Sequence, residues 1–252
     1  MDLKMDMWKY YGLTHVDHTI MNPMSMVKTQ RLIELLRLPK GGRVLDIACG
    51  KAEFLCMLAE RYGVTGTGVE LSPYTFDAAQ KNVHTRKLND QIELLNEDGA
   101  KYTVASAMKF DLVSCVGASW IFEGHAGTLK ALKNMVRPGG LILVGEPFWK
   151  REPDLEYLKV TGTTLELFGS HLGNVKAGEE LGLSLLYTVV SNKDDWDNYE
   201  GLQWQAAERY ALEQPEDPDV EALLHTTRMN RDAYLRCGRE CLGWAMYLFQ
   251  AP

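Results

Sequence analysis

Between residues 43 and 144 the sequence alternates short apolar segments with longer segments of helical periodicity, and this alternation constrains the fold most strongly. The apolar segments are rich in Val, Ile and Leu, which is typical of buried parallel strands. Strands that alternate with helices predict a parallel sheet built from right-handed crossovers. The predicted strands are residues 43–48, 64–69, 92–95, 110–116 and 141–144, and the predicted helices are residues 27–38, 52–62, 73–87 and 127–136.

The pattern changes after residue 149. A helix near residues 177–181 precedes a strand at 183–190, and the chain closes with a strand at 244–249. Two polar-amphipathic helices, separated by Pro215 and Pro218, lie between these last two strands. We predict a single α/β domain over residues 1–252, in which residues 192–238 form a helical cap over the carboxyl end of the sheet.

The composition restricts the compartment and the partners. The net charge of −7 disfavours nucleic acid, because an acidic surface repels a phosphate backbone. The five cysteines form no Cys-x-x-Cys pair, which argues against a structural zinc site. The N-terminus has no apolar signal-peptide core, and no apolar run approaches 18 residues. We therefore expect a cytoplasmic protein that does not span a membrane.

The segment Asp46-Ile47-Ala48-Cys49-Gly50 ends the first predicted strand, where open α/β sheets bind their ligands. A dinucleotide site would carry a glycine-rich turn here and a pyrophosphate on the next helix N-terminus. Only Gly50 is a glycine, and the carboxylate of Asp46 would repel a pyrophosphate. Asp46 suits a ligand with an ammonium and a sulfonium, and S-adenosylmethionine carries both. We predict that Asp46, Ala48 and Gly50 contact this cofactor.

Carboxylates also close the next two strands. Glu70 is placed to accept hydrogen bonds from both ribose hydroxyls, and Asp98 to accept one from the adenine amine. Alone, each carboxylate could be a cap, surface or turn residue, but their order along consecutive strand ends favours one ligand site. The fourth strand end is expected to wall the adenine and the sulfur. The predicted cofactor contacts beyond the first strand are Glu70, Leu71, Asp98, Gly99, Ala100, Cys115 and Trp120.

The stretches VLDIACGKAEF, GTGVELSP, NEDGA, FDLVSCVGASW and VRPGGLILVGEPFW resemble the class I S-adenosylmethionine-dependent methyltransferase family. Within it, the sequence is similar to a bacterial YjhP-like group over nearly the whole chain. The resemblance implies a Rossmann-like, mostly parallel sheet of seven strands with a reversed last strand, and S-adenosylmethionine as the cofactor. It implies no acceptor. The family's usual Gly-x-Gly is Ala48-x-Gly50 here, which puts the affinity in doubt and not the identity of the cofactor.

Three residues are candidates for a base that takes a proton from the methyl acceptor. Glu146 follows the fifth predicted strand, although with Pro147 it could simply fix the strand exit. His18 lies in residues 1–26, which we expect to fold over the cofactor site. His125 lies in the loop after the fourth strand. Alignment of nucleophile and methyl group supplies much of the catalysis in such a displacement, so a base is an addition to it.

Aromatic residues are concentrated in the loops and in the predicted cap. We predict that Trp149, Trp196 and Tyr199 line the acceptor pocket, with Trp120 and Trp204 nearby. Such rings can stack on a planar acceptor or hold a cationic amine by cation–π contact. The alternative is that they pack the cap on the sheet.

The sequence lacks the motifs that are typical of several other kinds of methyltransferase. The Pro-Pro loop of enzymes that methylate nucleic-acid amino groups is replaced by Cys115-Val116-Gly117, and neither a Pro-Cys nucleophile nor a carboxylate cluster with metal spacing stands out. We expect a small-molecule acceptor, no nucleic-acid partner and no metal. The alternatives are a methyltransferase acting on RNA or protein, an inactive cofactor-binding module and a nicotinamide dehydrogenase. The sequence leaves the oligomeric state open.

Overall fold

Seven strands form one sheet in the computed structural model, which describes residues 5–104 and 109–252. The strands are β1 (Arg43–Ile47), β2 (Thr65–Val69), β3 (Ile92–Leu95), β4 (Phe110–Val116), β5 (Val136–Trp149), β6 (Ser184–Val190) and β7 (Leu242–Gln250). Their order in the sheet is β3-β2-β1-β4-β5-β7-β6. Strand β7 is antiparallel to both of its neighbours, β5 and β6, and the other neighbouring pairs described in this sheet are parallel. The predicted Rossmann-like fold with a reversed last strand is confirmed.

Nine longer helices are present in the described residues. They are α1 (Met7–Thr14), α2 (Met26–Leu36), α3 (Glu53–Tyr62), α4 (Pro73–Thr85), α5 (His125–Met135), α6 (Leu155–Thr161), α7 (His171–Glu180), α8 (Lys193–Glu213) and α9 (Val220–Ala233). Local sequence signals explain several starts: Pro73 opens α4 behind a Ser72 cap, and Asn192 with Asp195 forms a capping box on α8. The helix α9 continues into a π-helical turn, Tyr234–Gly238.

The sheet separates two apolar cores because successive side chains of a strand point to opposite faces. On one face Val44 and Leu112 pack with Leu32 of α2 and Leu55 of α3. On the other face lie Leu45, Ile47, Val113 and Ile142, which pack with Leu129 and Leu132 of α5. Full burial of each such leucine contributes about 1.5–3 kcal/mol. These packed faces hold the carboxyl ends of β1, β2 and β4 in fixed positions.

Strand β5 is much longer than the predicted 141–144. It begins at Val136, where the predicted helix was expected to end, and passes through Pro138-Gly139-Gly140 before continuing to Trp149. It pairs with β7 as far as Trp149, well beyond the end of β4. The carbonyl of Gly145 accepts a hydrogen bond from the N–H of Gly117, the residue after β4. The nitrogen of Pro147, two residues further on, points to the same side, where β4 has ended. A proline is tolerated there because no strand needs its N–H.

The helices α8 and α9 lie between β6 and β7, within the predicted residues 192–238. The sequence did not predict α1 or α6, and α7 begins earlier than expected. Lys9 of α1 donates hydrogen bonds to Asp217 and Asp219 in the loop between α8 and α9. This half-exposed ion pair ties the N-terminal segment to the cap. No helix in the described part of the chain is both long and apolar enough to cross a membrane.

Candidate active site

A cavity of about 450 Å³ lies at the carboxyl ends of β1, β2 and β4. Its floor is made by residues that follow these strands, because the ends of parallel neighbours meet at one edge of the sheet. Its opposite wall is made by Trp8 and Tyr11 of α1, by His15, and by Tyr199 of α8. The predicted cofactor residues that line it are Ala48, Gly50, Glu70, Leu71, Asp98, Gly99 and Trp120.

A smaller cavity of about 50 Å³ adjoins the first and is lined by Asp46. The two cavities share Met21, Ala48, Gly50 and Val116 as lining residues. The predicted carboxylates Asp46, Glu70 and Asp98 are therefore brought to one continuous region of the sheet edge.

Two predicted cofactor residues do not line either cavity. The side chain of Cys115 is fully buried in the core against α5, while the neighbouring Val116 faces the cavity. Side chains alternate along a strand, so a prediction that is off by one residue selects the wrong face. Ala100 also lies outside the cavities, and its N–H donates to Asp98 Oδ1 at 3.0 Å. Gly117 and Ala118, which belong to the fourth strand end expected to wall the cofactor, line the cavity, and so does Ile121, which the sequence did not indicate.

The loop between β1 and α3 has an unusual backbone. Ala48, Gly50 and Ala52 all have φ near +57°, in the left-handed region. For the two alanines this conformation costs roughly 1–2 kcal/mol each. Strained backbone of this kind clusters at ligand-binding sites. At Gly50 an added Cβ would lie 3.4 Å from the Met21 sulfur, an ordinary contact distance, so it is the positive φ that favours glycine there.

Glu70 at the end of β2 is held by two backbone donors. Its Oε2 accepts from Gly50 N–H at 3.0 Å, and its Oε1 accepts from Ser72 N–H at 2.8 Å. Burial raises the pKa of the Glu70 carboxyl, and these backbone bonds oppose the rise. Each carboxylate oxygen keeps a second lone pair, so the side chain can also accept two ribose hydroxyls.

Asp46 is almost fully buried at the end of β1, and Ser114 donates to its Oδ1 at 2.7 Å. Burial, together with the charge of Glu70, raises the pKa of Asp46 to about 7, and the Ser114 hydrogen bond opposes this. In the described residues the other oxygen, Oδ2, has no hydrogen-bond partner. A carboxylate in this state would be stabilised by an ammonium group in the small cavity.

The far end of the cavity is lined by residues that follow β3 and β4. Gly99 packs so closely that an added Cβ would lie 2.7 Å from Ile47 Cγ2. Trp120, 60% exposed, and Ile121 form the facing wall. Asp98 stands beside Gly99 with its side chain one-third exposed.

Lys51 fixes the N-terminal segment to the β1–α3 loop, a role that no sequence motif indicates. Its ammonium donates to the carbonyl oxygens of His15, Val16 and His18 at 2.7, 2.9 and 2.7 Å. All three of its protons are used. The segment is thereby held across the edge of the cavity.

The structure corrects the prediction for His18. This side chain is 4% exposed and does not line the cavity, and its Nε2 is 2.9 Å from the Tyr199 carbonyl oxygen. The neighbouring His15 lines the cavity instead, with its Nε2 2.9 Å from the Tyr199 hydroxyl. Burial lowers the pKa of His15 to about 3 and also lowers that of His18. Both rings are neutral at pH 7.

Glu146 and His125, predicted separately, form one buried pair. Ser119 donates to Glu146 Oε1 at 2.9 Å, and Glu146 Oε2 lies 3.9 Å from His125 Nδ1. His125 Nε2 is 2.9 Å from the carbonyl oxygen of Asn174. A carbonyl only accepts, so Nε2 carries the proton and the Nδ1 lone pair of neutral His125 faces the carboxyl group.

Burial shifts the pKa values of Glu146 and His125 in opposite directions, and in each case it favours the neutral form. Burial raises the pKa of Glu146 to about 7 and lowers that of His125. Among the residues described, neither Glu146 Oε2 nor His125 Nδ1 has a hydrogen-bond partner. A single proton held between them would remove the repulsion of two lone pairs. The pair lies behind the cavity wall, since Ala118 and Trp120 line the cavity on either side of Ser119.

Two of the three predicted pocket aromatics lie outside the cavity. Trp149 donates from Nε1 to the Leu165 carbonyl at 2.9 Å and packs against Phe168, which corrects the prediction that it contacts the acceptor. Trp196 is buried in the cap behind Tyr199, with ring centroids 6.2 Å apart. Tyr199 alone of the three lines the cavity. Within residues 5–104 and 109–252 no group of three or more His, Cys, Asp or Glu side chains could hold a metal ion.

Comparison with known proteins agrees with the geometry. Residues 44–140 match a family model described as a methyltransferase domain. The chain is 30% identical to the Escherichia coli protein YjhP, over 96% of this chain and 98% of that protein.

Two solved structures, both complexes with S-adenosyl-L-homocysteine, are similar over almost their full length. The methyltransferase from Geobacter sulfurreducens has a TM-score of 0.91 and 28% identity, covering 99% of this chain and 100% of that one. The one from Thiobacillus denitrificans has a TM-score of 0.89 and 33% identity, covering 98% and 100%.

The sheet order and the carboxylates at its edge define a Rossmann-like protein that binds a nucleoside. The chain belongs to the S-adenosylmethionine-dependent methyltransferase family, and S-adenosylmethionine is its cofactor.

Proposed function

We propose that this chain transfers the methyl group of S-adenosylmethionine to a small molecule enclosed beneath α1 and α8. The observation that carries the proposal is the composition of the cavity wall. The strand-end residues Glu70 and Asp98 face Tyr11 and Tyr199 across one cavity of about 450 Å³. A wall made by the N-terminal helix and the cap leaves room for a small molecule and excludes a folded macromolecule.

The side chains at the strand ends fit the cofactor. Glu70 would hold the ribose, Asp46 the ammonium of the methionine part, and Gly99 with Trp120 the adenine. When bound, S-adenosylmethionine supplies an activated methyl group on a sulfonium. The chain's own contribution is alignment and exclusion of water, which together are worth up to about 7–11 kcal/mol.

We propose Glu146 as the final proton acceptor, with Ser119 as the link: Ser119 does not line the cavity itself, but it lies between Ala118 and Trp120, which do. A proton leaving the acceptor would pass to Ser119 Oγ while the Ser119 hydroxyl proton moves to Glu146 Oε1, 2.9 Å away. His125 holds Glu146 from the other side. His18 has no part in this path: its ring is buried, does not line the cavity, and makes no contact with Ser119 or Glu146 in the described residues.

A more distant relative supports a small-molecule acceptor. The 27-O-demethylrifamycin SV methyltransferase of Amycolatopsis mediterranei is 24% identical over 71% of this chain and 70% of that enzyme. Its name describes action on a small molecule. The net charge of −7 also opposes binding of RNA.

Methyl-labelled cofactor tests the proposal. The protein is incubated with a cell extract and methyl-labelled S-adenosylmethionine, and the products are separated by size. We expect enzyme-dependent label in the low-mass fraction, where mass spectrometry identifies the product. Label only in protein or RNA would contradict the proposal, and so would an absence of label from extracts of several growth conditions when S-adenosylhomocysteine still binds.

The variant Glu146→Gln is a second arm of the same experiment. Because the pKa of Glu146 is raised to about 7, we expect the wild-type rate to rise with pH through that value. Loss of a general base lowers rates by about 10²–10⁴-fold, and the variant should lose the pH profile while S-adenosylhomocysteine binds as before. An unchanged rate and profile would remove Glu146 from the proton path.

A further inference from the structure

One side of helix α1 forms much of the cavity wall that faces the strand ends. Met7, Trp8, Tyr11 and His15 all line the cavity. Their spacing of three or four residues places them along one side of α1 and its C-terminal end. Tyr199 of α8 completes this wall. The acceptor side of the cavity is therefore largely aromatic.

The charges at the cavity lie on the cofactor side. Among the lining residues within 5–104 and 109–252, the charged side chains are Glu70 and Asp98, and both are carboxylates. The proposed function assigns both to the cofactor. An anionic acceptor would meet no cation on these described walls, and burying an unpaired charge is costly. The lining therefore favours an uncharged acceptor.

The hydrogen bonds of His15 determine which ring nitrogen carries the proton. Its Nδ1 lies 3.0 Å from Thr14 Oγ1 and 3.2 Å from the Tyr11 carbonyl oxygen. The Thr14 hydroxyl donates its own proton to the Tyr10 carbonyl, so both neighbours of Nδ1 are acceptors. Burial lowers the pKa of His15 to about 3, and the ring is neutral. Nδ1 therefore carries the single ring proton, and Nε2 is an acceptor.

The Tyr199 hydroxyl must then donate to His15. The two atoms, Oη and Nε2, are 2.9 Å apart, and burial raises the pKa of Tyr199, so its hydroxyl keeps its proton. With that proton directed to His15, the Tyr199 oxygen offers only lone pairs to other groups. No further hydrogen bond reaches this oxygen from the described part of the chain. Because both residues line the cavity, their hydrogen bond lies at its wall.

The backbone at Tyr199 is held as well. His18 Nε2 lies 2.9 Å from the Tyr199 carbonyl oxygen, and His18 is itself almost fully buried. Two histidines of the N-terminal segment therefore hold the same tyrosine, one at its hydroxyl and one at its main chain. An acceptor oxygen fixed in this way selects for a ligand that donates a proton to it.

We propose that the methyl acceptor is an uncharged phenol and that Tyr199 accepts a hydrogen bond from its hydroxyl group. This rests on the proposed function. The rings of Trp8 and Tyr11 favour a flat aromatic body, and Tyr199 selects the donor. His15 is a positioning residue, because it keeps the Tyr199 proton away from the acceptor. The hydroxyl is an anchor and need not be the atom that is methylated.

Small aromatic probes test the site in the full chain saturated with S-adenosylhomocysteine. Phenol and its methyl ether anisole, which has no proton to donate, are titrated by ligand-observed NMR, with benzoate and benzylammonium as charged probes. We expect phenol to bind at least fivefold more tightly than either charged probe. The variant Tyr199→Phe keeps the ring and removes the oxygen. It should lower the ratio of phenol affinity to anisole affinity about fivefold, the size expected of one neutral hydrogen bond.

The variant His15→Phe tests the positioning role. Nothing then accepts the Tyr199 proton, so the hydroxyl turns and donates to the probe. We expect acetophenone, whose carbonyl only accepts, to gain about fivefold in affinity relative to phenol. A purely structural role of His15 would weaken both probes together and leave their ratio unchanged.

The matched control is Tyr187→Phe, because Tyr187 is 40% exposed on the edge strand β6 and does not line the cavity. It should keep the wild-type ratios. The proposal would be overturned by a phenol-to-anisole ratio that is unchanged in Tyr199→Phe, by tighter binding of a charged probe than of phenol, or by no binding of phenol.

Two readouts keep this inference apart from the proposed function. Affinity for S-adenosylhomocysteine is measured first in each protein, and its absence in the wild type would count against the proposed function. A labelled low-mass product that is charged and not aromatic would overturn the phenol assignment alone, since methyl transfer to a small molecule would still have occurred.

Discussion

Replacing Glu70 by Ala should weaken S-adenosylhomocysteine binding by about 100-fold. The variant loses a carboxylate that can accept two ribose hydroxyls, and hydrogen bonds to a charged group are worth about 1.5–3 kcal/mol each. It also releases the N–H groups of Gly50 and Ser72, which Glu70 now holds at 3.0 and 2.8 Å. Isothermal calorimetry at pH 7.5 measures the affinity directly.

The variant Glu70→Gln separates the two contributions. It keeps one acceptor oxygen for the backbone, so the loop should remain folded while the affinity still falls at least tenfold. Glu93→Gln on the neighbouring strand β3 is the control, because Glu93 is exposed and lines neither cavity at the strand ends. Affinity of both Glu70 variants within threefold of the wild type would remove Glu70 from the ribose site.

Binding of S-adenosylhomocysteine should strengthen by about twenty-fold between pH 5.5 and pH 7.5. The pKa of Asp46 in the free protein is raised by burial to about 7, so the group is mostly protonated at the lower pH. An ammonium group beside it favours the ionised form and lowers that pKa. By linkage, binding then releases a proton below pH 7 and becomes tighter as the pH rises.

The raised pKa of Asp46 also determines whether the stability of the free protein rises or falls with pH. The folded protein holds the Asp46 proton more tightly than the unfolded chain does, so this group's contribution to stability falls as the pH rises from about 4 to 7. Bound S-adenosylhomocysteine should offset that loss. Thermal unfolding with and without the ligand, recorded across this range, should therefore show a larger ligand shift at the higher pH.

The variant Asp46→Asn tests whether Asp46 is the group that causes the pH dependence of binding. It should reduce the pH effect on affinity to a few-fold, whereas Asp90→Asn, an exposed residue before β3, should leave it intact. A wild-type affinity that is flat with pH, or a pH effect that survives in Asp46→Asn, would show that Asp46 does not face the ammonium.

The positions of the strand-end carboxylates could be predicted from the sequence, because the carboxyl ends of parallel strands meet at one edge of the sheet. A buried strand that ends in a carboxylate places that group at the sheet edge, and Asp46 and Glu70 are both found there. The face of the sheet to which a side chain points is harder to predict than the place of the residue along the strand. Cys115 and Val116 are adjacent apolar residues, and only the pairing of β4 with its neighbours decides which one faces the ligand.

The acceptor side could not be predicted because it is assembled from distant parts of the chain. His15 lines the cavity through contact with Tyr199, 184 residues away, so nothing local distinguishes it from His18. The helix α1 is likewise stabilised by Lys9 bonding to the cap.

A crystal structure of the protein grown with S-adenosylhomocysteine would test the central claim most directly. We expect the ribose hydroxyls within hydrogen-bond distance of Glu70, the ammonium beside Asp46, and the sulfur facing the space closed by Tyr11 and Tyr199. The claim would be contradicted by a ligand bound away from the ends of β1, β2 and β4, or by a sulfur that points to open solvent instead of into the enclosed cavity.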